Sequence, residues 1–171
     1  MKKLILLLLA AAVATTAAAQ AQRDTLTFNN DYYFSKRNVE ELVPVTGQNI
    51  VMLGNSLTER GFWAEYFQGK RVLNRGIGGD VTDGLLERMD ESIFDLEPKK
   101  VFINIGTNDI SRPEYKRERL MSQYRKILMQ IQARLPETKI YVMSYYPVNR
   151  ELPGADPEAV KAQFGARTNA E

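Results

Sequence analysis

The chain contains no cysteine and no histidine, a single tryptophan, and no long hydrophobic run beyond its first residues. Without cysteine, neither a disulfide framework nor a lipid-modified cysteine at a processed start is available. Without histidine, the commonest metal ligand and the commonest general base are both missing. Charge of one sign is scarce as well: 23 Lys and Arg stand against 21 Asp and Glu, a formal net charge of +2. That balance supplies no field to draw in nucleic acid or an anionic membrane. Internal repeats are absent, and the composition is that of a soluble globular protein.

The one apolar run opens the chain. "MKKLILLLLAAAVATTAAAQAQ" sets two lysines before an apolar stretch from Leu4 to about Val13, followed by small residues. This is the layout of a secretory signal peptide over residues 1–21, cleaved near Ala19 or Ala21. The stretch is short for a membrane span, and an uncleaved anchor is the alternative. Cleavage after Ala21 leaves 150 residues, an ordinary size for one domain, and removes Lys2 and Lys3, which brings the formal charge to zero. The expectation is a secreted or periplasmic protein with no stable membrane span after cleavage.

Four short runs read as buried parallel strands: "NIVMLG" from Asn49, "RVLNRG" from Arg71, "KVFINIG" from Lys100 and "KIYVMSYYPV" from Lys139. Helical patterns lie between them, over Thr58 to Phe67, Val81 to about Leu96, and Pro113 to Leu135. In the last, Leu120, Tyr124, Ile127, Leu128, Ile131 and Leu135 recur at three- and four-residue steps, marking one core stripe on a wet helix. A further helix is expected from about Asp31 to Leu42, within a lead-in of residues 22–48 to which no chemistry is assigned. Strands alternating with helices imply right-handed βαβ units in an open sheet covered on both faces. Ligands of such sheets bind at the carboxyl ends of the strands. Three loops occupy that position: "GNSLTE", "NRGIGGDVTDG" and "GTNDISRP".

Each loop has a bland reading and a chemical one. Ser56 opens a helix, where a serine commonly caps, but where its N–H and the helix dipole also favour a developing oxyanion. Gly76, Gly78 and Gly79 suit a tight turn, and equally a backbone that approaches a ligand. The dinucleotide fingerprint fails at Val81 and no Walker lysine is present, which counts against a nucleotide site. Asn108 fits an Asx-turn, and its amide also fits an oxyanion donor, a contribution of about 3 to 4 kcal/mol in known cases. Taken together, the loops supply a hydroxyl nucleophile, a bare backbone donor and an amide donor, the set that acyl transfer requires.

Here the sequence resembles the GDSL or SGNH hydrolases, serine esterases and lipases of flavodoxin-like fold. The block written G-D-S-L in the family stands as "GNSL", with Asn55 for the aspartate; the glycine block stands as "GIGGD", and G-x-N-D as "GTND". The resemblance runs from about Asn49 to Val148. It implies a three-layer α/β/α sandwich on a parallel sheet, with Ser56 as nucleophile and Gly79 and Asn108 as oxyanion-hole donors. Within the family the chain looks most similar to the branch of platelet-activating-factor acetylhydrolases and carbohydrate acetylesterases. The implied activity is release of a short acyl group, acetyl above all, from a carbohydrate or similar small ester, with no cofactor, no metal and no nucleic acid partner. The G-x-S-x-G elbow of α/β-hydrolases is not met, since Thr58 stands at its last glycine.

The family's D-x-x-H block, which supplies the base and its orienting aspartate, has no counterpart here. Loss of the base alone costs on the order of 10⁶ in turnover in triad enzymes. At the other end of the argument, "RTNAE" sets Thr168 three residues before Glu171, a capping box that announces a helix just as the sequence stops. The expectation is therefore a hydrolase domain over residues 49–171 that is C-terminally incomplete, ending before the last strand and helix. A non-catalytic module that binds glycans or a partner is the competing reading, with Trp63, Tyr66 and Phe67 as a sugar platform or as core.

Overall fold

A computed structural model describes residues 30–42, 50–112, 114–147, 154 and 156–158. The expected signal peptide, Asn49, and the capping box of Thr168 and Glu171 lie outside the described residues. Helix α1, Asp31–Leu42, coincides with the expected lead-in helix. Strands β1 (Ile50–Gly54), β2 (Val72–Gly76), β3 (Lys100–Asn104) and β4 (Lys139–Val142) follow. They pair in parallel in the order β2-β1-β3-β4. This is the flavodoxin-like order over its first four positions, so the fold is α/β with a parallel sheet and flanking helices.

Alternation along the strands divides the faces. Val51, Leu53, Val101 and Ile103 are fully buried on one face. Against them pack α4 (Thr82–Glu87), α5 (Met89–Ser92) and α7 (Arg117–Arg134), through Leu85, Met89, Leu120, Ile127 and Ile131. On the other face Met52, Phe102 and Tyr141 are register neighbours. Phe102 stacks on Tyr141 with ring centroids 4.6 Å apart, and Phe67 lies 6.4 Å from Phe102. Burial on this face fades from Met52 to Tyr141, which is 41% exposed at the outer strand. Among the described residues, then, the sheet is covered fully on one face and only in part on the other.

Four expected elements differ in extent. The helix expected from Thr58 to Phe67 is two short helices, α2 (Ser56–Glu59) and α3 (Trp63–Tyr66), because Gly61 N–H turns back to Thr58 O and ends the first. The helix expected from Val81 to Leu96 is α4, α5 and a 3-10 turn at Phe94–Leu96. Its first break falls at Arg88, where φ −117 and ψ 19 leave the helical region. The long helix starts at Arg117; its expected first residue, Pro113, lies outside the described residues. Likewise β4 stops at Val142, since its neighbour β3 ends at Asn104 and the chain turns away at Gly106, φ 109. No described helix is long and apolar enough to cross a membrane.

Candidate active site

The register sets the site. Gly54 pairs with Gly76 on one side and with Asn104 on the other, so β1, β2 and β3 end at one level. Ser56, Gly79 and Asn108 each follow one of these ends by two to four residues, on adjacent strands. The converging loops are those expected from the sequence.

Ser56 is the first residue of α2 and is partly exposed. The cap of that helix is Asn55, whose side-chain oxygen accepts Leu57 N–H at 3.0 Å while the residue is almost wholly buried. The capping role weighed for Ser56 thus belongs to its neighbour, and the Ser56 hydroxyl takes no part in it. The close fit of strand to helix explains Gly76: a Cβ there would stand 2.2 Å from Glu59 N.

The glycine loop closes as a turn, with Asp80 N–H bonded to Ile77 O at 3.2 Å. Gly79 holds its third position with φ +78, as a type II turn demands of that residue, and it is exposed with open space on its Cβ side. Asn108, in helix α6 (Thr107–Ile110), donates its amide to Asp80 O at 2.9 Å. The Asn loop and the glycine loop are joined by that bond, immediately beside Gly79. It orients the amide and leaves its second N–H to point elsewhere.

Two carboxylates brace these loops. Asp109 accepts Thr82 N–H at 3.1 and 3.2 Å and the Thr82 hydroxyl, so it serves the start of α4 from another loop. Burial pushes its carboxyl up, against those bonds. Asp80 is buried and accepts Val81 N–H at 2.9 Å and Arg88 at 2.9 and 2.8 Å. Burial pushes its carboxyl up to about 6, against the Arg88 charge, which leaves it ionised at neutral pH.

Sequence reasoning placed α1 but missed its contacts with the site, and it missed Arg88. Helix α1 lies against the glycine loop: Tyr33 is buried with Ile77 and Val81, and its hydroxyl donates to Gly84 O at 2.6 Å. Tyr32 donates to Glu59, and Lys36 reaches the same carboxylate at 2.9 Å. Burial raises the Glu59 carboxyl, but Tyr32 and Lys36 outweigh it and hold the group below its ordinary range. Glu40 accepts the Ser92 hydroxyl at 2.6 Å, which ties α1 to α5. The lead-in carries no chemical motif, and the run of Tyr32, Tyr33 and Phe34 was its available signal. The aromatic trio of the first loop is divided: Tyr66 is exposed, while Trp63 is half-buried with its indole N–H on Thr58 O at 2.7 Å, and Phe67 turns to the sheet. Among the described residues no cluster of acidic side chains could hold a metal ion.

Comparison with known proteins gives the family and the fold. The profile of the GDSL-like Lipase/Acylhydrolase family matches residues 52–170. The platelet-activating factor acetylhydrolase IB subunit alpha2 of Rattus norvegicus is 28% identical over 120 residues, 70% of this chain and 50% of the rat protein. The chain therefore spans about half the length of the curated relatives it matches. Among solved structures, one described as a platelet activating factor from Streptococcus pneumonia superposes with a TM-score of 0.68 at 25% identity, over 91% of this chain and 70% of that one. An acetylxylan esterase of Geobacillus stearothermophilus shares the fold, with a TM-score of 0.51 at 21% identity over 71% and 70% of the two chains.

Proposed function

Since the chain belongs to the GDSL-like lipase/acylhydrolase family, we propose that it is an exported serine esterase that removes a short acyl group, acetyl above all, from a carbohydrate or similar small ester. The observation that carries this reading is the bond from the Asn108 amide to Asp80 O, which sets an amide donor beside the outward-facing Gly79 at the level of Ser56. Ser56 Oγ attacks the ester carbonyl, and the N–H groups of Ser56 and Gly79 with the Asn108 amide hold the oxyanion. Collapse of the tetrahedral species expels the alcohol, and water then releases the acid from Ser56. Relatives named for acetyl esters, in lipid and in xylan, support the short acyl group. The apolar opening run supports export.

No histidine is present to take the Ser56 proton, so the test supplies imidazole in solution. The expected result is saturable release of nitrophenol from p-nitrophenyl acetate that rises with imidazole, on the order of 10³ over water. Ser56→Ala brings this rate down to that of imidazole alone. Unchanged turnover in that variant rejects Ser56 as nucleophile. The absent histidine and the exposed Tyr66, 6.0 Å from Trp63 in edge contact, favour a second reading, a glycan-binding module. Quenching of Trp63 fluorescence by acetylated xylo-oligosaccharides without Ser56-dependent turnover would establish that reading instead.

A further inference from the structure

Arg88 is the largest of the fully buried side chains. A guanidinium has five N–H donors, and all five are used here. Nε donates to Asp80 Oδ2 at 2.9 Å, and Nη2 to the same oxygen at 2.8 Å and to Gly54 O at 3.0 Å. Nη1 donates to Arg75 O at 3.1 Å and to Ser92 Oγ at 2.9 Å. Two carboxylates face it: Asp80, and Glu40 of α1, whose Oε2 lies 3.6 Å from Nη1. Burial disfavours its cation, but these carboxylates outweigh that cost.

The acceptors have a pattern that core support alone does not require. Gly54 is the last residue of β1, two before Ser56. Arg75 is next to last in β2, before the glycine loop. Asp80 adjoins Gly79, and its carbonyl holds the Asn108 amide. We propose that Arg88 is the positioning residue of the site, setting the Ser56 loop and the Gly79–Asn108 pair in mutual register by holding Gly54 O, Arg75 O and the Asp80 carboxylate at once. A lysine has three N–H donors on one atom and cannot span acceptors on two strand ends and a loop.

The inference deepens the esterase reading, and one readout is independent of it. Hydrogen exchange near neutral pH is followed at bonded amides of the two loops, Asn55 and Leu57 on one side, Ile77 and Val81 on the other. Arg88→Lys should speed exchange at all four by about tenfold or more while the amides of α7 keep their protection. Asp80→Asn, the milder variant, should speed Val81, whose N–H donates to the Asp80 carboxylate, and leave Asn55, Leu57 and Ile77 near the parent rate, because Arg88 still holds Gly54 O, the acceptor of Ile77 N–H. Loops that keep the parent rate in Arg88→Lys, or acceleration of every element alike, would overturn the proposal. On the activity side, Ser56-dependent turnover in Arg88→Lys should fall in kcat by about 10- to 100-fold, with KM changed little. A parent chain lacking Ser56-dependent turnover would defeat the esterase reading, while the exchange pattern would still decide the role of Arg88.

Discussion

Asn55 stands where the family block has an acid, and it caps α2 while almost wholly buried. Asn55→Ala removes the acceptor of Leu57 N–H, an almost wholly buried side chain, so a loss of about 1 to 2 kcal/mol is expected in urea unfolding. Ser56→Ala, by contrast, removes a hydroxyl that serves no cap, and should leave stability within about 0.5 kcal/mol. That pair of measurements separates the capping role from the nucleophilic one at adjacent positions. The distinction was open in the sequence, where Ser56 itself could cap. It closed only when the backbone placed Asn55 at the cap and Ser56 inside the helix.

Among the elements, α7 shows how directly a pattern can be read. Leu120, Tyr124, Ile127 and Ile131 recur at helical steps, and all four are buried against the sheet. Burial pushes the Tyr124 phenol up to about 12, as expected on that stripe. Ile127→Ala should cost about 2 to 5 kcal/mol, since a packed face closes only partly around the loss. Met129→Ala, at a position 60% exposed, should stay within about 0.5 kcal/mol. Thermal unfolding of both variants tests the assignment. Elements built from two or three turns were read less well. The pieces from Thr58 to Phe67 and from Val81 to Leu96 read as continuous helices, because local periodicity registers neither the turn at Gly61 nor the non-helical backbone at Arg88.

For the molecule as a whole, the buried pair of Asp80 and Arg88 links stability to pH. The folded-state Asp80 carboxyl, near 6, lies above its ordinary 3.8. Between these values the folded chain keeps a proton that the unfolded chain has lost, so this group's contribution to stability is fully present at low pH and falls as pH rises from about 4 to about 6. Glu59 acts with the opposite sign, its contribution being present above its ordinary range and lost in acid. The difference in unfolding free energy between parent and Asp80→Asn, followed from pH 4 to pH 8, should therefore decline up to about pH 6 and then level. A difference that rises across that interval would show Asp80 held below its ordinary value.

The sequence by itself determined the strands, their loops, the core stripe of α7 and the order of the three blocks, because these depend on residues close along the chain and on the burial of apolar side chains. It also carried the family resemblance, through residues gathered within a few positions of each strand end. Only the tertiary structure decided what holds those loops together. Arg88 reaches Gly54 across 34 positions, Asn108 reaches Asp80 across 28, and Tyr33 reaches Gly84 across 51. A buried polar group must find its partner wherever the fold brings one within about 3 Å. Which residue that is depends on strand order and register, and no local pattern encodes it.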